Sequence, residues 1–440
     1  MSADHREQQP GQQGSRIDPY VGRYAHRAQG MVASEVRALF AVASRPEVVS
    51  LAGGMPNVGA LPLDQISELI RDVVAEEGPT ALQYGSAQGD PALRELLCDY
   101  MTQEGVDASP DDVIVTVGSQ QALDLITRVF VDPGDVVLCE GPTYVTAINT
   151  FAAFQADIRH VSMDEQGVVP EELDEALTRA AREGRRVKFF YTVPNFHNPG
   201  GITMSGQRRA RVIEVCERHD VLIVEDNPYG LLRYEGEAEA TLYSQGSGNV
   251  IYLGSLSKTL SPGLRIGWAL APAPVRAKLV LAAESAMLSH SMFNQLVVRR
   301  YLKTFPWREQ IKVFNAMYGE RRDAMLSALE AMMPQGCTWT RPQGGFFVWA
   351  TMPEGIDVKA MQPRALAERV AYVPGTGFYA DDRGRSDMRL SFCFPAPEEI
   401  REGVRRLSGV VENELDLRDT FGSTLVPPTA GSQAPAPDLS

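Results

Sequence analysis

The sequence contains few cysteines and no long apolar segment. Its 440 residues include five cysteines that lie far apart, and no two of them form a CxxC pair. A zinc ribbon or a disulfide framework is therefore not expected, and isolated thiols are typical of a reducing compartment. No apolar run approaches the roughly 18 residues that a membrane-spanning helix needs, and the first residues lack the apolar core of a signal peptide. We expect a soluble cytoplasmic protein that contacts no membrane.

Positive charge is also scarce. Lysine and arginine total 42, against 56 aspartate and glutamate residues, which gives a formal net charge of −14. Nucleic acids and anionic membrane surfaces both require a basic surface, so neither is an expected partner. The chain is 44% hydrophobic and 22% charged, which is the composition of an ordinary folded enzyme. We expect no metal site.

Apolar segments of strand length alternate with helical segments through much of the chain. Runs such as VVLCE (136–140) and VIYLGS (250–255) contain almost no charged residue. Continuous apolar strands separated by helices are typical of a parallel sheet that is covered by helices on both faces. After about residue 330, shorter strands mixed with helices predict a smaller α+β domain. The polar composition of both chain ends predicts unstructured tails.

A lysine follows one of these strands in a loop rich in hydroxyl groups. In SLSKTLSPGLR, Lys258 is accompanied by Ser255 and Ser257 and, seven residues later, by Arg265. A lysine can form a Schiff base with an aldehyde cofactor, and hydroxyls with a guanidinium could hold the phosphate of that cofactor. Two alternatives remain open. They are an exposed lysine in a serine-rich turn, and the Ser-x-x-Lys motif of serine β-lactam enzymes, whose companion motifs are absent.

Polar side chains also follow two other predicted strands. Asp226 ends the strand VLIVED, at the sheet edge where parallel α/β proteins bind ligands, and Tyr229 follows three residues later. A carboxylate at this edge needs a cationic partner, and a protonated pyridine nitrogen would be one. Asn198, after the strand VKFFYTV, is a second candidate donor to such a cofactor. The alternative for Asp226 is a helix N-cap.

Gly118-Ser119-Gln120 lies between a predicted strand and a predicted helix. Such a turn directs free backbone N–H groups and the positive end of the helix dipole toward one point, where an anion can bind. Ser119 and Gln120 are therefore candidate phosphate ligands. Tyr144, in the next strand–helix turn, could stack on a planar ring, although a tyrosine at such a position is more often part of the core.

Together these motifs resemble the class I aminotransferases of pyridoxal phosphate (PLP) fold type I. SLSKTLSPGLRIGW around Lys258, VEDNPYG around Asp226, PNFHNPGG around Asn198 and MRLSF around Arg389 have the order and spacing of that family. LAGGMPN, LQYGSAQGDPALR and VGSQQALDL are similar to the branch that holds bacterial 2-aminoadipate and kynurenine/aminoadipate aminotransferases. One motif departs from the family pattern, which usually reads Asn-Pro-Thr-Gly, because Gly200 replaces the threonine here.

The resemblance covers about residues 28–414 and implies an α/β protein of PLP fold type I. Its large domain has a mostly parallel seven-stranded sheet sandwiched by helices, and a smaller α+β domain is built from both chain ends. The implied segments, in chain order, are a disordered N-terminal tail (1–20), an N-terminal segment of the small domain with an active-site helix (21–60), the large PLP-binding domain (61–325), the C-terminal small domain (326–415) and a disordered tail (416–440).

The resemblance also implies roles around pyridoxal 5′-phosphate. Lys258 would form the Schiff base and then move a proton between the substrate α-carbon and the cofactor. Asp226 would keep the pyridine nitrogen protonated. Asn198 and Tyr229 would hydrogen-bond the ring oxygen, and Tyr144 would stack on the ring. The phosphate would be held by Ser119, Gln120, Ser255, Ser257 and Arg265.

Substrate binding and assembly are implied in the same way. Arg389 would bind the α-carboxylate of the substrate, with Gly54 and Asn198 nearby. Arg37, in ASEVRAL, matches an arginine that meets the distal carboxylate of acidic substrates, although a charged helix position is more often solvated. Tyr84 would reach the phosphate site of a neighbouring subunit, which implies a homodimer with shared active sites.

The expected function is therefore PLP-dependent transamination. The amino group would move between an L-amino acid of 2-aminoadipate, aromatic or branched-chain type and a 2-oxo acid, 2-oxoglutarate, by a ping-pong mechanism. One alternative is a PLP-dependent C–S lyase, which would release pyruvate and ammonia. Another is the non-catalytic PLP-sensing domain of a transcription regulator. Such regulators carry a basic winged-helix module ahead of this domain, and only about 28 residues precede the matched region here.

Overall fold

The computed structural model describes residues 20–29, 45–246 and 248–422. Within them, the α-helices are His26–Gln29, Leu63–Ala81, Pro91–Met101, Gly118–Phe130, Val145–Ala153, Pro170–Arg182, Gly206–Arg218, Leu242–Gln245, Ala273–Met287, Met292–Thr304, Trp307–Met332, Val358–Ala367 and Pro397–Phe421. None of these helices is both long and apolar enough to cross a lipid bilayer.

The same residues contain strands that form three sheets. In chain order the strands are β1 (Val49–Ser50), β2 (Val113–Thr116), β3 (Val136–Gly141), β4 (Asp157–Asp164), β5 (Gly167–Val168), β6 (Val187–Thr192), β7 (Leu222–Asp226), β8 (Val250–Ser255), β9 (Gly267–Leu270), β10 (Thr338–Trp339), β11 (Phe347–Thr351), β12 (Val370–Ala371), β13 (Val373–Pro374) and β14 (Asp387–Ser391).

The central sheet has the strand order β2-β9-β8-β7-β6-β3-β4-β5. Strands β3, β4, β6, β7 and β8 are parallel, and β2 has the same direction because both β2 and β8 are antiparallel to β9. The sheet is therefore mostly parallel, as predicted, but it has eight strands instead of seven. The additional strand is β5, which has two residues and pairs antiparallel with the edge strand β4. So short a strand has no apolar run by which it could be predicted.

The central strands are buried on both faces, as their apolar sequences predict. Every residue of β3 and of β8 is buried. Along β3, Val137 joins the core that includes residues of helix Gly118–Phe130, whereas Leu138 joins the opposite core with residues of helix Pro170–Arg182. Successive side chains of a strand point to opposite faces. The sheet is therefore the middle layer between two layers of helices.

A second sheet has antiparallel strands in the order β10-β11-β14-β13. Helices Trp307–Met332 and Pro397–Phe421 pack on it through residues such as Leu329 and Leu407. The short parallel pair β1-β12 connects an early segment of the chain to this region. Strand β14 is central to the functional site, because it carries Arg389.

The helix ends bear on two of the predicted segment boundaries. Helix Trp307–Met332 runs across the predicted boundary between residues 325 and 326. The last helix continues to Phe421, and Nη1 of Arg418 donates a 3.1 Å hydrogen bond to the backbone oxygen of Glu354. The prediction of a disordered tail from residue 416 is therefore wrong for 416–421. The division into domains stays a prediction.

Candidate active site

The carboxyl ends of β6, β7 and β8 meet at one edge of the central sheet, close to β14 of the second sheet. A cavity of about 380 Å³ lies there. All the predicted site residues except Tyr84 and Arg37 line it, namely Gly54, Ser119, Gln120, Tyr144, Asn198, Asp226, Tyr229, Ser255, Ser257, Lys258, Arg265 and Arg389. Parallel strands bring the residues that follow them to the same edge of a sheet, which is why a set so dispersed in sequence converges.

Asp226 is the last residue of β7 and is 4% exposed. Its Oδ2 accepts a 2.8 Å hydrogen bond from the hydroxyl of Tyr191, whereas its Oδ1 is buried and has no aligned hydrogen-bond partner among the described residues. Burial raises the pKa of this carboxyl to about 6, and the hydroxyl of Tyr191, the nearby hydroxyl of Ser119 and the positive charge of Lys258 oppose that rise. No helix begins within residues 227–241, so Asp226 is not an N-cap. Its free oxygen is available to a cationic donor in the cavity.

Lys258 follows β8, and its amine enters the same cavity. Nζ donates a 3.0 Å hydrogen bond to the backbone oxygen of Gly54 and lies about 6 Å from the ring centres of Tyr229 and Phe346. Burial lowers the pKa of this amine to about 8, and the positive charge of Arg389 also lowers it. Lys258 is therefore not an exposed lysine in a serine-rich turn. An amine with a lowered pKa is more often neutral, and so more reactive, near neutral pH.

The predicted phosphate ligands surround the start of helix Gly118–Phe130. Gly118 has a φ of 71°, and a Cβ at this position would lie 2.6 Å from Nη2 of Arg265. Glycine therefore allows the guanidinium to approach the turn. Arg265 lies 3.5 Å from the hydroxyl of Ser257, which in turn contacts the hydroxyl of Ser255 at 2.9 Å. A helix N-terminus, a guanidinium and two hydroxyls are groups that can together bind an anion.

Two tyrosines and a glutamine complete the wall of the cavity. Tyr144 immediately precedes helix Val145–Ala153, and Tyr229 is 3% exposed. Burial raises the pKa of both phenols, so both keep their protons at neutral pH and can donate hydrogen bonds. Gln120 donates to the hydroxyl of Thr150 at 2.7 Å, and its Oε1 is buried without a partner.

Arg389 reaches the cavity from β14 and is 3% exposed. Nη1 donates to Oδ1 of Asn198 at 2.9 Å, and Nη2 donates to the backbone oxygen of Ala52 at 2.8 Å. The guanidinium carbon lies 4.2 Å from the ring centre of Phe347 and 5.1 Å from that of Phe378. Burial lowers the pKa of Arg389 to about 10, and its Nε has no hydrogen-bond partner in residues 20–29, 45–246 and 248–422. The fork is thus held in place with donors left for a carboxylate.

The two remaining predicted residues are not part of this cavity. Tyr84 is 75% exposed on the surface of the chain. Arg37 lies outside the described residues, as do nearly all of the predicted N-terminal tail and most of the predicted active-site helix. Their predicted contacts stay predictions.

The segment that forms this cavity also matches a known protein family. The family model described as aminotransferase class I and II matches residues 46–407. The chain belongs to the class I and II aminotransferases. The match covers most of the chain, including every residue that lines the cavity.

Individual relatives support the same assignment of this aminotransferase. It is 42% identical to aromatic-amino-acid aminotransferase 1 of Thermococcus litoralis, over 90% of this chain and 95% of that protein. A solved kynurenine aminotransferase of Pyrococcus horikoshii, in complex with PMP, has a TM-score of 0.87 and 40% identity, over 90% of this chain and 98% of that one. An α-aminoadipate aminotransferase of Thermus thermophilus has a TM-score of 0.84 and 35% identity, over 90% and 99% respectively. The predicted PLP fold type I is confirmed.

The cofactor of this aminotransferase is pyridoxal 5′-phosphate. The Thermus thermophilus structure contains a phosphopyridoxyl derivative of leucine, and the cavity of this chain fits such a group. The unpartnered Oδ1 of Asp226 suits a protonated ring nitrogen, and the amine of Lys258 suits an aldehyde. The turn at Gly118, together with Arg265, suits a phosphate.

Several residues of the cavity were not predicted. They include Tyr191, Met55 and Phe347. Tyr191 lies in the apolar strand β6, where a tyrosine is indistinguishable from a core residue by its sequence. Its position near the carboxyl end of a strand was the one available signal. Phe347 has no such signal, because it reaches the cavity from the second sheet.

Proposed function

We propose that this aminotransferase moves the amino group of an L-amino acid to a 2-oxo acid, with 2-oxoglutarate as acceptor, by a ping-pong mechanism. One observation carries the proposal. A single cavity contains the Lys258 amine, the unpartnered Oδ1 of Asp226 and the Arg389 guanidinium. A reactive amine, an anion for the pyridine nitrogen and a cation for a carboxylate are what PLP chemistry on an α-amino acid requires.

The cofactor, when bound, supplies an electron sink for the substrate α-carbon. In this proposal Asp226 accepts a hydrogen bond from the ring nitrogen and keeps it protonated, while Tyr191 holds the other carboxylate oxygen. Asn198 and Tyr229 donate to the ring oxygen, and Tyr144 stacks on the ring. The proposed phosphate ligands are Ser119, Gln120, Ser255, Ser257 and Arg265.

Lys258 is proposed to be the residue that moves the proton at the α-carbon. Its pKa of about 8 leaves part of the amine neutral at neutral pH, so it can accept a proton and later return it. The backbone oxygen of Gly54 is the acceptor that holds the protonated amine within the cavity. Such general acid–base work contributes on the order of a hundred- to ten-thousand-fold to the rate.

Arg389 is proposed to bind the α-carboxylate. Each of its Nη atoms carries two N–H groups and donates one of them, to Asn198 or to Ala52. The remaining N–H groups and Nε–H can therefore bind a carboxylate as a fork. Gly54 lies beside this fork, and a Cβ there would come within 2.9 Å of the Phe347 ring, so glycine keeps space next to the carboxylate.

The amino donor is proposed to be of 2-aminoadipate, aromatic or branched-chain type. By their names, the relatives above act on aromatic amino acids, kynurenine and α-aminoadipate. The cavity wall includes the apolar side chains of Met55, Val193 and Phe347, which suit an aromatic or branched side chain. Arg37 is proposed to meet the distal carboxylate of acidic donors.

A homodimer with shared active sites is also proposed. Leu82, Tyr84 and Met287 are 77%, 75% and 41% exposed. The backbone N–H of Gly85 donates to the hydroxyl of Ser289 at 3.3 Å, so the two segments that carry these exposed side chains are adjacent. An exposed apolar surface of this kind supports an interface.

The scarcity of cysteine supports a cytoplasmic location.

A panel of amino acids tests this function. Each would be incubated with the holoenzyme and 2-oxoglutarate, with glutamate formation as the readout and Lys258→Ala as the inactive control. We expect aminoadipate, kynurenine, aromatic or branched-chain donors to give glutamate, with parallel lines in double-reciprocal plots. Pyruvate and ammonia released without an added oxo acid would instead identify a C–S lyase. No glutamate from any donor would contradict the proposal.

A further inference from the structure

We propose that His197 and Glu140 form a buried pair that positions Asn198, and that Gly200 leaves the space that the His197 ring occupies. The inference deepens the proposed function, on which it rests, because there Asn198 contacts both the cofactor and Arg389. His197 and Glu140 are each 1% exposed, and neither lines the cavity. They are therefore positioning residues and not catalytic ones.

Glu140 is a buried carboxylate near the end of β3. Its Oε1 accepts a 2.7 Å hydrogen bond from the hydroxyl of Thr192, and its Oε2 accepts a 2.9 Å hydrogen bond from the backbone N–H of Val193. Both donors lie where β6 ends, directly before the segment that leads to Asn198. A buried carboxylate is costly unless donors and a positively polarised group compensate it. The imidazole of His197 provides that further compensation.

His197 connects this carboxylate to the turn that carries Asn198. Its Nδ1 accepts a 3.1 Å hydrogen bond from the backbone N–H of Gly200. A neutral ring that accepts at Nδ1 carries its hydrogen on Nε2, and Nε2 lies 3.2 Å from Oε2 of Glu140. Within the part of the chain that the structure describes, Nε2 has no aligned hydrogen-bond partner, so this contact is electrostatic. The backbone of His197 closes the same turn through a 2.8 Å hydrogen bond to Ile202.

Asn198 lies inside the turn that His197 holds. Its Oδ1 accepts the 2.9 Å hydrogen bond from Nη1 of Arg389, and the residue lines the cavity. A side chain that orients the guanidinium and also donates to the cofactor tolerates little rotation. Displacing such a group by about 1 Å can cost on the order of a hundredfold in rate. Rigid support from His197 and Glu140 therefore bears directly on the reaction.

Gly200 explains how the chain accommodates this ring. A Cβ at position 200 would lie 3.1 Å from Nδ1 of His197 and 3.4 Å from the terminal carbon of Met163. Gly200 does not have a positive φ, so space and not backbone conformation restricts the position. The imidazole and a side chain at position 200 compete for one volume. A side chain at position 200 would thus require the ring to shift by a few tenths of an ångström, which favours glycine where the sequence motif usually has threonine.

The test uses the holoenzyme and substitutions that each keep part of the pair. His197→Asn keeps an acceptor for the N–H of Gly200 but loses the contact with Glu140. His197→Gln keeps an amide near Glu140 but loses the acceptor for Gly200. Glu140→Gln removes the charge and keeps the size. We expect each variant to raise KM for the amino acid and for the 2-oxo acid about tenfold, the value of roughly one hydrogen bond. We also expect a shift in the pH midpoint of the cofactor absorption band, with a smaller change in kcat.

A purely structural role would lower the thermal midpoint without moving KM or the pH midpoint, and that result would overturn the proposal. The Asn198→Ala variant distinguishes a failure of the proposed role of Asn198 from a failure of the positioning pair. If Asn198→Ala leaves KM and the absorption midpoint unchanged, the proposed role of Asn198 is wrong. If it changes both while the His197 and Glu140 variants change neither, the positioning pair is wrong.

Substitution of Gly200 gives an independent test of the shared space. We expect Gly200→Ala to raise KM several-fold in the natural background and much less in a His197→Ala background. Gly409→Ala is the matched control, because a Cβ at that helical position meets no atom within 4 Å. Equal effects of Gly200→Ala in the two backgrounds would show that the ring and the added carbon do not compete.

Discussion

The hydroxyl of Tyr191 donates a 2.8 Å hydrogen bond to Oδ2 of Asp226, while the other oxygen of that carboxylate has no aligned partner in the described part of the chain. Tyr191 is fully buried on β6, the strand adjacent to that of Asp226. The bond holds one oxygen and leaves Oδ1 for a group in the cavity. It also favours the ionised carboxylate, against the effect of burial. In the proposed site, Tyr191 would therefore determine which oxygen meets the pyridine nitrogen.

Tyr191→Phe should weaken cofactor binding by at most about 1.5–3 kcal/mol, or roughly ten- to 150-fold, because the lost hydrogen bond is also present without the cofactor and only its strengthening on binding counts. Equilibrium titration of the apoenzyme with PLP measures the change. Tyr372→Phe is the matched control, since the Tyr372 hydroxyl is also buried but donates to the backbone oxygen of Val358. Equal affinities for the wild type and Tyr191→Phe would mean that Asp226 is held by other contacts.

Asp226→Asn should stabilise the apoenzyme while it weakens the holoenzyme. Burial raises the pKa of Asp226 to about 6 from an ordinary value of 3.8. For an acid with a raised pKa, stability is lost as the pH rises from about 4 to about 6. Above pH 6 the ionised carboxylate therefore costs about 3 kcal/mol, at about 1.4 kcal/mol per pKa unit. The neutral amide of the Asp226→Asn variant avoids this cost, but it cannot keep the pyridine nitrogen protonated.

Denaturant unfolding of both apoproteins between pH 5 and pH 8 checks the first half of this prediction, and PLP titration and turnover check the second. Asp387→Asn is a suitable control, because burial also raises the pKa of Asp387 and the residue does not line the cavity. Normal turnover by Asp226→Asn would show that the carboxylate is not needed to keep the pyridine nitrogen protonated.

Lys258 should react with PLP faster as the pH rises toward 8. The neutral amine is the nucleophile, and below its pKa of about 8 the neutral fraction falls about tenfold per pH unit. The absorbance change after mixing apoenzyme with PLP measures the rate. Reduction with borohydride should then fix the cofactor on Lys258, as located by mass spectrometry. A rate that is flat from pH 6 to pH 8, or an adduct on another residue, would be incompatible with the assigned lysine.

The parallel part of the fold could be predicted from the sequence because its physical signal is local. The runs that became β3 and β8 are apolar on both faces, and the helices between them have their own periodicity. The antiparallel strand β9 (Gly267–Leu270) was not predicted. It is short, and residues 256–266, which connect β8 to it, contain the 3-10 turn Pro262–Leu264 but no α-helix, so the chain returns antiparallel to β8. Its pairing with β2 and β8 joins segments that are distant in sequence.

The lining of the cavity could be predicted where a residue occurs in a recognisable motif, as with Lys258 and Asp226. Residues that hold another side chain in position could not be predicted. Tyr191 and His197 look like ordinary residues of a strand and a loop, and their partners Asp226 and Glu140 lie on other strands of the sheet. Such contacts exist only after the strands have aligned.

Arg37 should distinguish acidic from neutral donors. If it meets a distal carboxylate, Arg37→Ala should cost about 1.5–3 kcal/mol in kcat/KM for aminoadipate or glutamate, a ten- to more than hundredfold loss. Leucine and kynurenine should lose far less, because Arg389 still binds their α-carboxylate. Arg27→Ala, in the described helix His26–Gln29, controls for loss of positive charge near this end of the chain. Equal losses for both classes of donor would mean that Arg37 does not bind the distal carboxylate of acidic donors.

Tyr84 should serve the active site of the partner subunit. Tyr84→Phe homodimers are expected to retain PLP poorly, because a hydrogen bond to an anion is worth roughly 1.5–3 kcal/mol, and Lys258→Ala homodimers are expected to be inactive. In a mixed dimer, the Lys258→Ala subunit contributes its intact Tyr84 to the active site of the Tyr84→Phe subunit, which has an intact Lys258. One site is then whole and the other is doubly damaged. Unfolding and refolding the two variants together should therefore restore activity at limiting PLP beyond the average of the separate samples. Activity equal to that average would mean that Tyr84 acts within its own subunit or not at the phosphate at all.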